Sequence, residues 1–477
     1  MNMDNLLVMK FGGTSVGSAE RFRAAASICA GQRERPVAVV ISAMAKVTDL
    51  LIETLRRAES GDKPGFEADI KRLRKKHTEA CRELLPPEMQ EPVLKRIHEI
   101  VADFERIANG VSILGEAPLR SVDEAMAVGE RLSSLLLAAH LESLGIRAEA
   151  VNACEVVVTD NVFGNATPLM EATRERARAK LLPMIEAGVM PVVTGFNGAT
   201  IDGRPTTLGR GGSDFSASIL AAALDAAELW IWTDVDGIMS ADPRMVPDCA
   251  VLAEVTYREA AELAYNGAKV LHPRTLAPLI EKRIPVWSKN SFAPEKPGTR
   301  IVPSVAAGGA RAVTSMSNVA LIAIEPESGV PNGVRMIGRA MVGLGRANIE
   351  VLALSSSSHR QSFCFLVRKA DLEPALASLR DSLDLELAHG YLRPIDVRED
   401  VGLLAVVGEG MRGTAGLAGR IFTAISREMV NIIAIAQGSS ELTIAVVVPK
   451  DGLEKAVRAV HAETGMGRQA GLAERAP

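Results

Sequence analysis

Apolar residues in the first part of the chain occur in short uninterrupted runs, separated by stretches of helical periodicity. The runs at 6–9, 37–41, 191–195, 229–233 and 284–287 have the length and composition of buried strands. Such strands alternating with helices are typical of a mainly parallel sheet covered by helices on both faces. We therefore predict an α/β domain over residues 1–303.

Residues from about 60 to 112 depart from this alternation. They are charged, helical in pattern and poor in strand signals, with a break at Pro86-Pro87. We interpret them as a helical insertion in the α/β domain. Farther along, Ser121 and Glu124 have the spacing of a capping box, which predicts a helix that begins there and runs past Glu130.

The last part of the chain contains an internal repeat. It follows a small-residue stretch at 302–310 that is typical of a linker. Each copy reads strand, glycine turn, helix, strand, serine-rich turn and strand, and the closing strands lie at 363–367 and 443–448. Second helices are predicted at 372–382 and 453–462. This order predicts two ferredoxin-like βαββαβ units, at 304–397 and 398–477.

Composition and charge exclude several classes of function. The net charge of −4 and the aromatic content of 4% argue against nucleic-acid binding, and the basic run at 71–76 is interpreted as a solvated helix face. The five cysteines lack a C-x-x-C pair, so neither a disulfide framework nor a zinc site is predicted. Without a secretory signal or an apolar run of ~18 residues, we expect a cytoplasmic protein that does not contact membranes.

A glycine turn directly follows the first strand. Its sequence, Lys10-Phe11-Gly12-Gly13-Thr14-Ser15, combines backbone N–H groups, two hydroxyls and one ammonium. That set suits a phosphate group, although the order differs from the common P-loop. The alternative is a plain strand and turn with a surface lysine.

A second polar turn occurs at Arg210-Gly211-Gly212-Ser213-Asp214, before an apolar helix. The guanidinium of Arg210 is a forked donor that matches a carboxylate, and the glycines let the backbone approach a ligand. The alternative is a glycine turn capped by the side chain of Ser213 or Asp214.

Single charged residues add further candidates. Glu130 lies in a mostly apolar helix and needs a partner, which is either a ligand ammonium or an internal salt bridge, for example to Arg210. Asp234 and Asp236 follow a strand, where open α/β sheets bind ligands, so they either hold a nucleotide ribose or metal-bound water or form an Asx turn. Lys269 offers a second cation for phosphate.

Together, these motifs resemble those of the aspartate kinases (aspartokinases) in the amino acid kinase family, and the repeat resembles a pair of ACT domains. The resemblance covers nearly the whole chain. It implies the amino acid kinase fold followed by two ACT domains. It also implies ATP-dependent phosphorylation of the β-carboxylate of L-aspartate to 4-phospho-L-aspartate, the first step towards lysine, threonine and methionine.

The resemblance also implies three groups of site residues. The transferred phosphoryl group would be held by Lys10, Gly12, Gly13 and Ser15, with Asp214 orienting Lys10. L-Aspartate would contact Thr48, Glu130, Arg210, Ser213 and Asp214. ATP would be surrounded by Lys10, Thr233, Asp234, Asp242, Arg244 and Lys269, with Mg²⁺ as a companion that has no direct protein ligand. Met239 departs from the pattern, because the family often has tyrosine there.

Regulation by an end-product amino acid, threonine or lysine, is implied by the ACT pair. The effector candidates are Asn348, Ser356, Ser357, Asn431, Gln437 and Ser439. Pairing of ACT units implies a homodimer or homotetramer, and with the sequence ending at Pro477 we expect no fused homoserine dehydrogenase. Two alternatives remain: an amino acid kinase acting on glutamate, carbamate or a nucleotide, and an effector-binding protein whose kinase domain is inactive.

Overall fold

The computed structural model describes residues 3–209, 211–268, 271–305, 308–327, 333–357 and 362–466. These residues fall into two compact units. The first is built from 1–238, 253–257 and 271–304, and the second from 239–252, 258–270 and 305–477. Each unit is described by itself below.

The first unit is organised around an eight-stranded sheet with the order β3-β5-β2-β1-β8-β10-β11-β9. Its pairs are parallel except for β10 with β11, and a smaller sheet has the order β4-β6-β7. The predicted mainly parallel sheet is confirmed. The strands are β1 (Leu7–Phe11), β2 (Val37–Ile41), β3 (Ala148–Val151), β4 (Val158–Thr159), β5 (Met190–Thr194), β6 (Asn197–Thr200), β7 (Pro205–Thr207), β8 (Glu228–Thr233), β9 (Glu254–Thr256), β10 (Val286–Asn290) and β11 (Thr299–Val302).

Helices cover this sheet and extend it. In the first unit they are α1 (Ala19–Ala30), α2 (Val47–Glu59), α3 (Lys63–Leu84), α4 (Pro87–Leu114), α5 (Leu119–Met126), α6 (Val128–Ser143), α7 (Met170–Glu186), α8 (Gly212–Ala223) and α10 (Pro273–Lys282). Helix α9 (Tyr257–Tyr265) precedes α10 in the sequence, and all but its first residue belongs to the second unit. The long helices α3 and α4 occupy the segment interpreted as a helical insertion. Their residues Phe66 and Phe104 are fully buried in one apolar cluster with Met9 of β1, so these helices share the core of the sheet.

The second unit contains two four-stranded antiparallel sheets with helices, as the ferredoxin-like repeat predicts. The first, with the order β14-β15-β13-β16, uses β13 (Val319–Ile324), β14 (Ala353–Ser356), β15 (Phe363–Arg368) and β16 (Asp396–Arg398). The second has the order β12-β17-β19-β18 and uses β12 (Ala312–Met316), β17 (Val401–Val407), β18 (Ala434–Gln437) and β19 (Thr443–Pro449). The helices are α11 (Gly333–Arg346), α12 (Leu372–Ser382), α13 (Asp384–Ala388), α14 (Leu417–Arg427) and α15 (Leu453–Thr464).

The fourth strand of each sheet comes from a different place in the sequence: β16 follows the other strands of its sheet, whereas β12 precedes those of the second sheet. The order of elements in the repeat did not predict this difference. In the second sheet, β12 pairs antiparallel with β17, although β12 lies within the range predicted for the first copy. A last strand of the second copy would fall within residues 467–477, outside the described residues.

The segment 239–252 belongs to the core of the second unit. Ala241 and Val246 are buried in one cluster with Leu417 and Ile421 of α14. The hydroxyl of Ser240 lies 3.0 Å from a ring nitrogen of the buried His461 on α15. In the described ranges of both units, no helix has the length and apolar character needed to cross a membrane.

Candidate active site

Lys10 and Asp214 meet at the carboxyl edge of the central strands. Lys10 is the fourth residue of β1, which pairs in parallel with β2 and β8. Its ammonium lies 2.6 Å from the carboxylate of Asp214 in the first turn of α8. Burial leaves only 10% of the Lys10 side chain exposed, so this charge can act on a ligand without being screened by bulk water.

The turn before α8 is built on glycine. Gly211 precedes the helix with φ 68°, a left-handed conformation that glycine adopts without strain, and no side chain caps the helix. The alternative that Ser213 or Asp214 serves as the helix cap is therefore wrong, and Asp214 is directed to Lys10 instead. Arg210, the predicted carboxylate clamp, lies outside the described residues.

The glycine turn after β1 is fixed by backbone contacts on both sides. The Gly12 N–H donates to the Trp232 carbonyl at 3.2 Å, and the Ala45 N–H donates to the Gly13 carbonyl at 3.1 Å. A Cβ atom on Gly13 would lie 2.9 Å from the Ala43 carbonyl oxygen, so the loop at 42–46 can approach only a glycine. The turn therefore brings Lys10 and this loop together.

The side chain of Ser15 stabilises the glycine turn after β1. Its buried hydroxyl lies 2.8 Å from the hydroxyl of Ser291 and donates to the Trp232 carbonyl at 3.3 Å. The structure thus directs this side chain to β8 and to the end of β10. It lies near the predicted phosphate site as a support of the turn.

A cavity of about 560 Å³ opens between these elements. Its size is ordinary for a small-molecule site. The predicted residues that line it are Lys10, Gly13, Thr48, Glu130, Ser213 and Asp214. The structure therefore brings together most of the described residues that were assigned to phosphoryl transfer and aspartate binding.

Glu130 lies at the inner wall of this cavity. It is the third residue of α6 and is 3% exposed. One carboxylate oxygen accepts the Ala43 N–H at 3.1 Å, while the other is buried without a hydrogen-bond partner among the described residues. Burial raises the pKa of Glu130 to about 7, against the smaller lowering effects of the Ala43 hydrogen bond and the Lys10 charge. A cationic ligand would supply the missing partner.

Asp123 is a cavity residue that the sequence did not single out. Its buried carboxylate accepts hydrogen bonds from the N–H of Gly164 at 2.8 Å and from the N–H and hydroxyl of Thr207 at 3.0 and 2.7 Å. It therefore ties α5 to the turn at Gly164 and to the end of β7. Burial raises its pKa, and these hydrogen bonds oppose the rise.

The capping box predicted at Ser121 is wrong. Helix α5 begins earlier, at Leu119 after Pro118, and has no side-chain cap. The box pattern gave no signal for the tertiary role of Asp123, because that role depends on the distant Thr207.

The predicted nucleotide residues fall into separate parts of the structure. Thr233 ends β8, its carbonyl accepts the Ser291 N–H at 2.8 Å, and its hydroxyl donates to the adjacent exposed Asp234 at 3.2 Å. Asp242 and Arg244 belong to the second unit, where their side chains form an ion pair at 2.5 Å. Lys269 lies outside the described residues.

Asp236, the other candidate after β8, has partners within the protein. Its carboxylate accepts hydrogen bonds at 2.6 Å from Asn290 and from Lys296. No group of three or more His, Cys, Asp or Glu residues that could hold a metal ion occurs in the described part of the chain.

The six predicted effector residues are all exposed, and they occupy equivalent places in the two copies of the repeat. Asn348 follows α11 and Asn431 follows α14, whereas Ser356 and Gln437 end the strands β14 and β18. Each of these strands lies at the edge of its sheet, and the two strands contact each other within the second unit. Ser357 directly follows β14, and Ser439 lies in the turn after β18.

Comparison with known proteins gives consistent matches. The amino acid kinase family model matches residues 5–290, and an ACT domain model matches residues 404–464. The chain is 34% identical over 98% of its length to the chloroplastic bifunctional aspartokinase/homoserine dehydrogenase 1 of Arabidopsis thaliana. It spans only about half of that relative, 52% of its length.

Other relatives match along their whole length. The aspartokinase of Schizosaccharomyces pombe is 30% identical, with 96% of this chain and 92% of the relative covered. Aspartokinase III of E. coli, solved in complex with aspartate and ADP in the R-state, superimposes with a TM-score of 0.81 at 30% identity, covering 96% of this chain and 99% of that one. The same enzyme in complex with lysine and aspartate in the T-state gives a TM-score of 0.79 at 30% identity, covering 96% of this chain and 99% of that one.

Proposed function

Since the chain belongs to the amino acid kinase family, among its aspartokinases, we propose that it transfers the γ-phosphoryl group of ATP to the β-carboxylate of L-aspartate. The products are ADP and 4-phospho-L-aspartate. The observation that carries this proposal is a cavity lined both by the Lys10–Asp214 ion pair and by the buried carboxylate of Glu130. One oxygen of that carboxylate has no hydrogen-bond partner among the described residues. A cationic and an anionic group that line one cavity match an amino acid that carries both charges.

In this proposal Glu130 binds the α-ammonium of aspartate, and Arg210, Ser213 and Thr48 contact its carboxylates. The β-carboxylate is ionised at neutral pH, since its pKa is about 3.9, so the reaction needs no general base. A carboxylate oxygen attacks the γ-phosphorus, and the bond from that phosphorus to the bridging oxygen of ADP breaks. Catalysis then rests on positioning and on neutralising the charge of the phosphoryl oxygens.

Lys10 is the described cation best placed for that neutralisation. Asp214 fixes the position of its ammonium, and Gly13 begins a short 3₁₀ turn, where N–H groups lack partners within the turn. The Gly12 N–H already donates to Trp232, so we assign Gly12 to shaping the turn and Ser15 to bracing it. The nucleotide is proposed to lie at the carboxyl end of β8, at Thr233 and Asp234.

Mg²⁺ is proposed only as the companion of ATP, where it offsets charge on the phosphates. The described residues offer no cluster of ligands for it, and the steps above depend on the side chains of the protein.

Trapping of the acyl phosphate tests the activity. Purified protein is incubated with ATP, Mg²⁺ and hydroxylamine, and the hydroxamate is measured with L-aspartate and with L-glutamate. Aspartate-dependent hydroxamate is the expected result. Hydroxamate with glutamate alone would identify a different amino acid kinase, and none with either substrate would favour an inactive, effector-binding protein.

We further propose that an end-product amino acid, threonine or lysine, regulates the enzyme through the two ACT units. The exposed polar residues at equivalent ends of β14 and β18 support this proposal, because short polar side chains and open strand edges suit a small zwitterion. The E. coli relative was solved with lysine. Hydroxamate formation with added lysine or threonine identifies the effector, and Ser439→Ala should raise the half-inhibitory concentration.

Assembly as a homodimer or homotetramer through the ACT units is part of the same proposal. The edge strands β14 and β18 each pair on one side only within their described sheets. Sedimentation at several protein concentrations, with and without the effector, measures the assembly. A monomer under all conditions would contradict it.

A further inference from the structure

Two lysines lie at the loop 42–46, whose residues line the cavity. Lys46 itself lines the cavity, at the start of α2. Lys76 approaches from α3, and its ammonium donates to the Ala45 carbonyl at 2.7 Å. Burial, and then the nearby charge of Lys46, lower the pKa of Lys76. Among the described residues, neither ammonium forms a salt bridge with a carboxylate.

The backbone of Lys46 is unusual for a lysine. Its φ of 67° and ψ of 6° are left-handed values that favour glycine. This left-handed residue joins the loop to α2, and its side chain contributes to the lining of the cavity.

The charges of the cavity wall indicate what that role is. The described residues of the wall include four with a carboxyl group, Asp49, Asp123, Glu130 and Asp214. They include two with an ammonium group, Lys10 and Lys46. Lys10 is already paired with Asp214. Among the described residues of the wall, an amino acid with two carboxylates would thus meet more carboxyl than ammonium groups. Lys46 is the described cation of the wall that is free to offset this excess.

We propose that Lys46 is a further substrate-binding residue, whose ammonium attracts the carboxylates of L-aspartate into the cavity. In this proposal Lys76 holds the carbonyl of Ala45, the residue before Lys46, and so helps to position Lys46. This inference rests on the proposed aspartate kinase activity. It assigns Lys46 to substrate affinity, whereas Lys10 serves the transferred phosphoryl group.

The test compares Lys46→Gly with Lys46→Arg and with a matched control, Arg283→Gly. Arg283 is also an exposed cation with positive φ, 54°, and it ends α10 away from the cavity lining. Both glycine variants therefore remove one positive charge and place glycine, which adopts a left-handed backbone without strain, at a position with positive φ. The KM for aspartate, the KM for ATP and kcat are measured at about 0.01 M and about 1 M salt, where the screening length is about 30 and 3 Å.

At low salt, Lys46→Gly should raise the KM for aspartate about two- to fivefold, as expected for one charge acting across a wet cavity. The KM for ATP and kcat should change little, and the difference should vanish at high salt. Lys46→Arg should restore the low-salt KM, and Arg283→Gly should behave like the wild type. An unchanged KM for aspartate in Lys46→Gly at low salt, in an active wild-type enzyme, would overturn the inference. Absence of aspartate-dependent hydroxamate in the wild type would instead overturn the proposed function.

Discussion

The ammonium of Lys10 and the carboxylate of Asp214 lie 2.6 Å apart, although the two residues are 204 positions apart in the sequence. The pair joins β1 to the first turn of α8 at the carboxyl edge of the sheet. Because Asp214 holds the lysine in place before any ligand binds, the cation needs little reorganisation when charge develops on a phosphoryl group.

Replacing Lys10 with alanine should remove this charge without unfolding the protein. We expect kcat to fall roughly 10²- to 10³-fold, the usual loss when one preorganised electrostatic group is deleted. Hydroxamate formation measures the rate. The matched control is Lys95→Ala, an exposed lysine on α4 that should leave kcat unchanged. Near-normal turnover in Lys10→Ala would show that the phosphoryl site lies elsewhere.

A second prediction concerns Gly129, which precedes Glu130 on α6. A Cβ atom at this position would lie 2.6 Å from the Ala43 Cβ and 3.1 Å from a methyl group of Val47. Gly129→Ala should therefore push α6 away from the loop, raise the KM for aspartate and lower the free energy of unfolding by about 1–3 kcal/mol. Urea denaturation and steady-state kinetics measure both effects.

Gly110→Ala is the control for that variant, because a Cβ atom at Gly110, in the interior of α4, has no neighbour within 4 Å. Since alanine favours helix over glycine, we expect this change to stabilise the protein by up to about 1 kcal/mol without altering the KM. Equal destabilisation by both variants would mean that the contact of Gly129 with Ala43 is unimportant.

The sequence predicted the fold well, since local pattern determines most of it. Continuous apolar runs gave the strands of the parallel sheet, and the repeat gave the ferredoxin-like units. The place of β12 in the second sheet was not predictable, because strand pairing with β17 across 85 or more residues leaves no local mark.

The candidate site residues that could be chosen from the sequence belong to motifs that contain their own chemistry, and their roles stay predictions. Lys10, Glu130 and Asp214 fall in one cavity as the motifs and the resemblance implied. Asp123 and Lys46 were missed for different reasons. The partners of Asp123 are distant in sequence, and the significance of Lys46 depends on a left-handed backbone and a charge balance that only three-dimensional structure shows.

Asp123 gives a third prediction. Asp123→Ala would leave the donors of Gly164 and Thr207 without their acceptor, so we expect the free energy of unfolding to fall by about 1–3 kcal/mol. The KM for aspartate should rise, because the loop after Thr207 leads into Ser213. Asp123→Asn keeps one acceptor oxygen and should be milder. Glu124→Ala, at the neighbouring exposed position, is the control in urea denaturation and should have no effect.

Glu130 gives a prediction about pH. Burial raises its pKa from 4.5 to about 7, so near neutral pH the empty site holds a large fraction of the protonated acid. Its contribution to stability is present below pH 4.5 and is lost as the pH rises through about 7, since the folded state binds the extra proton in that window. Binding of an ammonium has the opposite dependence, because it needs the carboxylate.

The KM for aspartate should therefore fall about tenfold between pH 6 and pH 8, since only the ionised form of a group with a pKa near 7 binds the ammonium. In Glu130→Gln the KM should be high and independent of pH in this range, while its unfolding midpoint without ligand should no longer fall as the pH rises through 7. Kinetics in overlapping buffers of constant ionic strength measure the first effect, and thermal unfolding measures the second. If the KM of the wild type stayed constant from pH 6 to 8 while the stability of the empty protein changed as expected, Glu130 would be a buried acid without a role in binding the ammonium of the substrate.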